Sequence, residues 1–192
     1  MPNVTPKGQK KVILDWFRSE NKPRNRDDIA KIIRSGSVNH ASFYINELIE
    51  EGSLVRIDYT HYSTPEHAFM NAPVENIFSI VKNIMTKALR PVDIGIVAEN
   101  CNAKLHLSKT KAWYLSLIKL YCKNNEISWH FHHNLMSFHP INNFSIHSVL
   151  REIISDEIDN DELLKAVLKS IFADKQTIKN AINNVRNQSA IS

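Results

Sequence analysis

The sequence predicts an α+β protein, mostly α with small β-hairpins, in which two consecutive units of like pattern precede a C-terminal helical segment. Three observations carry this. Apolar residues recur at helical spacing through most of the chain, two short stretches turn β-branched or alternating, and the order helix, turn, helix, strand runs twice. Glycine is scarce, at 4 of 192 residues, which argues against a Gly-rich sandwich.

The first unit spans 1–71. Val12, Ile13, Trp16 and Phe17 form one stripe of a helix over 8–21, and Pro23 stops it. Asp27 is the expected N-cap of a short helix over 28–34, with Ile29, Ala30, Ile32 and Ile33 apolar. Ser35-Gly36-Ser37 breaks the pattern. A third helix over 38–51 places Ala41, Ile45, Leu48 and Ile49 on one face, and Gly52 closes it. Residues 54–59 read as a strand, 60–67 as a loop containing Pro65, and 68–70 as the return strand.

The second unit spans 72–141. A helix over 74–89 carries Ile77, Ile80, Val81, Ile84 and Met85, and Arg90-Pro91 ends it as Lys22-Pro23 ends the first. Residues 93–100 resemble 28–34, and Trp113-Tyr114 matches Phe43-Tyr44. The offset is thus 65 residues at Asp28 and Asp93 and 70 at Tyr44 and Tyr114, with the extra residues expected in a loop over 102–107. Ser108 is the expected cap of a helix over 109–123. Strands over 126–131 and 135–138 follow, with a turn at Asn134. The segment 142–192 holds three amphipathic helices, over 145–155, 161–172 (capped by Asn160) and 174–186. Each is too short to stand alone and must pack on the units, on its neighbours or on a second copy.

The run Leu-Ile-Glu-Glu-Gly-Ser-Leu-Val-Arg at 48–56 resembles the junction between the third helix and the first wing strand of winged-helix (winged helix-turn-helix) DNA-binding domains. The likeness rests on element order over 8–140 and transfers no individual residue. It implies a recognition helix lying in the major groove of DNA and a hairpin wing beside it. In architecture the chain is also similar to plasmid replication initiators, which carry two winged-helix domains and bind repeated origin sequences. It is similar again to the tandem winged-helix subunits of chromosome-condensation complexes, which bind protein partners. Those subunits are expected to be strongly acidic, and this chain is basic.

Net charge is +4 and the pI about 9.0. The excess sits in the middle, where residues 71–140 hold eight Lys/Arg against four Asp/Glu. This permits phosphate contact without diagnosing it. Cys101 and Cys122 are far apart and read as two reduced thiols of a cytoplasmic protein. Residues 1–11 are polar and basic, so no secretory leader is expected, and no apolar run reaches the roughly 20 residues of a membrane span.

In the first unit the recognition helix opens with Asn39, His40, Ser42 and Phe43 pointing outward and Asn46 one turn later. Asn pairs bidentately with adenine, and an exposed aromatic side chain contacts a thymine methyl. Ordinary capping and surface roles explain the same residue types. Arg24, Arg26, Lys31 and Arg34 form a basic cluster ahead of it, suited to the DNA backbone. Arg56, Tyr59, His61 and Tyr62 line the first wing. In the second unit Lys104, Lys109, Thr110 and Lys111 gather at the start of the equivalent helix. Lysines there oppose the helix dipole, a conflict that a phosphate relieves and a solvated face tolerates.

His130, His132, His133 and His139 invite a zinc reading, but only His130 and His132 share a strand face, and structural zinc takes four ligands. An exposed or interfacial cluster is the expectation, with no metal and no cofactor. The acidic residues Asp156, Glu157, Asp159, Asp161 and Glu162 read as a solvated inter-helix turn. No phosphate-binding Gly loop, nucleophile elbow or His-Glu-x-x-His occurs, so an enzyme is not expected. The expected role is sequence-specific binding of double-stranded DNA in transcriptional regulation, by a bacterial, plasmid or phage protein. Its tail is expected to form a homodimer that reads paired half-sites, although a tandem monomer can read two adjacent grooves unaided. A protein-binding accessory subunit and an origin-binding replication initiator are the alternatives.

Overall fold

The computed structural model describes residues 6–141, 144–154 and 158–189, which are mostly helical with two small antiparallel sheets of three strands. Among them no helix is long and apolar enough to cross a membrane. The chain divides into two compact units. One takes the described residues up to Pro73 together with Thr110–Tyr121. The other takes Val74–Lys109 and the described residues of Cys122–Ser192.

The first unit opens with α1 (Pro6–Glu20), β1 (Arg24–Asn25), α2 (Arg26–Ile32) and α3 (Val38–Glu51). Ile13 and Phe17 of α1, Ile29 and Ala30 of α2, Ile33, and Ala41, Ile45 and Leu48 of α3 converge with Leu54 on one buried core. The i, i+4, i+7 spacing of the α3 residues puts them on one stripe, so burying them leaves the opposite face free. The cap of α2 is Asn25, whose side chain accepts the Asp28 N–H at 2.8 Å; the expected Asp27 lies inside the helix. Gly52 closes α3 at φ +82°, a left-handed conformation that only glycine adopts without strain, and Leu48 O then accepts the N–H groups of Ser53 and Leu54.

The hairpin is tighter than expected. Strand β2 (Val55–Arg56) pairs with β3 (His61–Ser63), which also pairs with β1, giving the order β1-β3-β2. The stretch expected to return as a strand is instead the end of a helical turn, α4 (Pro65–Ala68), with Pro65 at its first position. Proline is well suited there because no N–H is needed.

The second unit repeats this order. Helix α5 (Val74–Ala88) is followed by β4 (Val92–Asp93), α6 (Ile94–Leu105), β5 (His130–His132) and β6 (Leu135–Ser137), while the intervening helix of the repeat, α7 (Lys111–Asn124), lies mostly in the first compact unit. The strand order β4-β6-β5 mirrors the first sheet. Up to the first sheet strand the two copies are 68 residues apart, Asn25 answering to Asp93. Each caps the next helix, Asp93 by accepting the Gly95 N–H at 2.7 Å. From Val38 and Lys111 to Glu51 and Asn124 the offset is 73. The expected offsets of 65 and 70 are each three short. The added residues do not form a loop over 102–107. They lengthen the helix, since α6 has 12 residues where α2 has 7.

The C-terminal helices belong to the second unit. Helices α8 (Ile146–Ile153), α9 (Asn160–Ser170) and α10 (Lys175–Ser189) bury Val149, Leu150, Leu163, Val167, Ile178 and Ile182 in a core that also takes Leu135 of β6. Ser145 and Ser148 form a reciprocal capping box on α8. Asp159, not Asn160, caps α9, accepting the Glu162 N–H at 2.8 Å. Between α9 and α10, Phe172 adds itself to the sheet edge. Its N–H donates to Pro91 O at 2.8 Å and its carbonyl accepts the Asp93 N–H at 2.9 Å. The expected acidic turn falls partly on Asp156 and Glu157, which lie outside the described residues.

Candidate nucleic-acid interface

With Ala41, Ile45 and Leu48 turned inward, α3 presents Asn39, His40, Phe43 and Asn46 outward. Their spacing of i, i+1, i+4 and i+7 gathers them on one face of the N-terminal two turns. Phe43 is 54% exposed and meets Tyr44 edge-on at 5.5 Å. The side chains of Asn39, His40 and Asn46 make no hydrogen bond or ion pair among the described residues. No acidic residue occupies the first turn, so the positive end of the helix dipole is uncompensated by side chains. The carboxylates sit at the far end, where Glu47 and Glu51 pair with Lys10. Ser42 is half-buried and donates its hydroxyl to Val38 O at 3.0 Å, so its donor is spent within the helix.

The basic residues ahead of α3 differ in how they are held. The Arg24 guanidinium stacks over Trp16, 4.4 Å from the ring centroid, and pairs with Glu20. Lys31 reaches Asp28 at 3.2 Å, a pair too exposed to hold it strongly. Arg26, the first residue of α2, and Arg34, just past its end, are both exposed.

The hairpin tip is braced from within. Arg56 donates from Nε to Asp58 O at 3.0 Å and from Nη2 to Tyr59 O, and its guanidinium lies 6.0 Å from the Tyr62 ring centroid. Asp58 Oδ1 accepts the N–H groups of Thr60 and His61, each at 2.7 Å, and the His61 ring lies 3.1 Å from the carboxylate. Burial pushes the Asp58 carboxyl up, but those N–H groups and the His61 ring outweigh it and hold it down to about 2. Arg56 and Tyr62 are thus used inside the hairpin, and Tyr59 stands out at its tip, 89% exposed.

The second helix differs from the first. Its cap is Thr110, not Ser108: the Thr110 hydroxyl accepts the Trp113 N–H at 3.1 Å. Lys109 therefore precedes the helix, held by Asn102, which both accepts its N–H and donates to its carbonyl at 3.0 Å. Lys104, Lys109 and Lys111 are exposed. At the 73-residue offset, Ala112, Trp113, Ser116 and Lys119 take the places of Asn39, His40, Phe43 and Asn46.

That face is occupied within the first compact unit. The Thr110 hydroxyl donates to Ile57 O, Ser116 Oγ to Arg56 O at 2.8 Å, and Trp113 Nε1 to Ala68 O at 2.8 Å. Trp113 is buried and also meets Phe69 edge-on at 5.4 Å. The sequence alone leaves Trp113 ambiguous, and the signal it offers is a place one residue before the buried Tyr114.

Of the histidines, His130 and His132 lie on β5 opposite Ser137 and Leu135, and the His132 and His133 rings meet edge-on at 4.3 Å. Among the described residues no three His, Cys, Asp or Glu side chains are placed to hold a metal ion. Burial pushes both cysteine thiols up to about 11, and the nearby Lys104 charge only partly offsets this at Cys101. No protein-family model matches the chain, and no curated protein matches its sequence.

Proposed function

We propose that the chain carries two winged-helix repeats, over 1–71 and 72–141, and binds double-stranded DNA in transcriptional regulation through the first of them. The observation that carries this reading is the open face of α3. Two asparagines, a histidine and an exposed phenylalanine share it, with no acidic residue in the first turn, at the positive end of the helix. Those side chains suit base edges in a major groove. Arg26 and Arg34 supply backbone contacts, and the braced tip with Tyr59 and His61 supplies the wing. The second helix lends its equivalent face to intramolecular hydrogen bonds, so Lys104, Lys109 and Lys111 act as phosphate contacts rather than base readers in this reading.

The test is fluorescence anisotropy with a random-sequence duplex at rising salt, followed by selection of a specific site. Micromolar binding that weakens steeply with salt is expected. Arg26→Ala should lower the slope of log K against log salt by about 0.9 if that residue meets one phosphate. Asn39→Ala should cost about 1–3 kcal/mol at one base pair of the selected site. Absence of binding at low salt would overturn the reading.

A second reading is a protein-binding accessory subunit, and the α7 contacts favour it. They display this fold's helix face holding polypeptide carbonyls through Thr110, Trp113 and Ser116. Self-association through the tail has less to work with. The apolar stripes of α8, α9 and α10 turn into their own core, and the large apolar side chains that stand exposed among the described residues lie elsewhere. Sedimentation across a concentration series decides between monomer and dimer.

A further inference from the structure

A cleft of about 440 Å³ opens in the second unit, bounded by the end of α5, the Arg90-Pro91 turn, Phe138–Ile141 and Phe144. Its size falls in the range of small-molecule sites. Met85, Leu89, Phe138, Ile141 and Phe144 make its lining largely apolar. Phe138 is braced edge-on against Trp129 at 5.7 Å, and Trp129 stacks flat on Phe78 at 4.5 Å, so this wall is a fixed aromatic surface.

Two features of the cleft bear on what it holds. The first is Arg90. It is half-buried, its guanidinium carbon lies 5.6 Å from the Phe172 ring centroid, and its Nε is buried without a hydrogen-bond partner. No carboxylate among the described residues pairs with it. A buried N–H without an acceptor is costly, and a ligand carboxylate beside the guanidinium supplies one. The second is Leu89. It ends α5 in a left-handed conformation, as Asn21 ends α1, its N–H donating to Met85 O at 3.3 Å, and its apolar side chain stands 88% exposed beside the cleft.

We propose that this cleft binds a small aromatic carboxylate, its ring against Phe138, Phe144 and Met85 and its carboxylate on Arg90. One cation in an apolar lining balances one negative charge, which fits a monocarboxylate better than a phosphate dianion. The His139 ring at the rim adds a further polar contact for the ligand. Leu89 covers the ring from the solvent side once the ligand is seated. The proposal is independent of what α3 contacts.

Isothermal titration of the full chain with 2-naphthylacetate and with its neutral primary amide tests it without DNA. The acid is expected to bind at least about tenfold more tightly than the amide, the worth of a charge-assisted hydrogen bond. Arg90→Gln, with its fold checked by circular dichroism, should erase that preference. Equal affinities for acid and amide in the wild-type protein, no heat from either at millimolar concentration, or a preference that survives Arg90→Gln would each overturn the proposal. The wild-type comparison decides the matter even if the variant does not fold.

Discussion

Thr110→Ala removes a single hydroxyl that serves two neighbours. It accepts the Trp113 N–H, capping α7, and donates to the Ile57 carbonyl beside the first hairpin. Loss of a threonine cap costs about 1 kcal/mol, and loss of one hydrogen bond about 0.5–1.5 kcal/mol. Thr110 is exposed, so water compensates part of the loss, and the combined cost comes to about 1–2 kcal/mol. With a urea dependence of about 2 kcal/mol per M, the midpoint of the first unit's transition falls by about 0.5–1 M. Thr110→Ser keeps the hydroxyl and should stay within about 0.5 kcal/mol of the wild-type protein. Tryptophan fluorescence in a Trp129→Phe background reads the transition, since the other two tryptophans, Trp16 and Trp113, belong to the first unit. The same variant separates two roles for Thr110. A hydroxyl committed to capping and to a carbonyl leaves DNA affinity unchanged where the variant is fully folded, whereas a base-reading hydroxyl loses affinity without loss of stability. The reasoning fails if Thr110→Ala keeps the wild-type midpoint, or if Thr110→Ser falls as far as alanine.

Three further outcomes follow from the same geometry. Leu163→Ala, at a fully buried position of the tail core, should destabilise the second unit by about 2–5 kcal/mol in a denaturant titration with no change in sedimentation; a stable variant with altered association would place Leu163 at a subunit contact instead. Asp58→Asn should weaken the first hairpin at neutral pH. Because the folded carboxyl is held at about 2, below its ordinary 3.8, its contribution is complete above pH 4 and is lost as pH falls through about 2. The stability gap between Asp58→Asn and wild type should therefore close between pH 4 and 2, and a gap that persists at pH 2 refutes the link. Cys101 and Cys122, buried and with thiols pushed up to about 11, should react with a maleimide only after denaturation, as read by mass spectrometry; rapid labelling of the native protein contradicts their placement.

What the sequence reveals here is periodicity, and what it conceals is competition between neighbours of like chemistry. The stripe of Ala41, Ile45 and Leu48 and the stop at Gly52 fix α3 to the residue, because burial and a left-handed backbone each admit few alternatives. Caps are harder. Asn25 beside Asp27, Thr110 near Ser108 and Asp159 beside Asn160 all offer a side-chain oxygen, and the backbone around each chooses among them. Strands β1 and β4, two residues each, are too short to show alternation, and their pairing with β3 and β6 is a long-range matter. Pro65 misleads because a proline inside a loop and a proline opening a helical turn look alike in sequence. For the candidate interface, the outward placement of Asn39, His40, Phe43 and Asn46 is legible from the α3 spacing, whereas Ser42, also expected outward, is half-buried and bonded to Val38 O. The engagement of α7 is not legible, since carbonyls of Arg56, Ile57 and Ala68 leave no trace in residue type.

The repeat itself argues for a division of labour. Matching aromatic pairs aligns Phe43 with Trp113, but the helix ends align Phe43 with Ser116 and His40 with Trp113. In that register three of the four positions are chemically sorted; Lys119 in the place of Asn46 is not. Where α3 shows Asn39, His40 and Phe43, the other helix has Ala112, Trp113 and Ser116. These are a small residue, a large one with a single donor, and a hydroxyl. Such residues suit close approach to a polypeptide rather than to base edges, which offer several donors and acceptors at once. The open α3 face carries asparagines able to donate and accept together; the α7 face carries side chains that here each donate once, to a carbonyl. Exchanging the two sets tests the sorting. The triple variant Ala112→Asn, Trp113→His, Ser116→Phe removes the hydrogen bonds from Trp113 to Ala68 O and from Ser116 to Arg56 O, and should destabilise the first unit. The triple variant Asn39→Ala, His40→Trp, Phe43→Ser changes only outward positions of α3, and should fold and lose DNA binding. If this α3 variant binds DNA as before, its open face is not the reader.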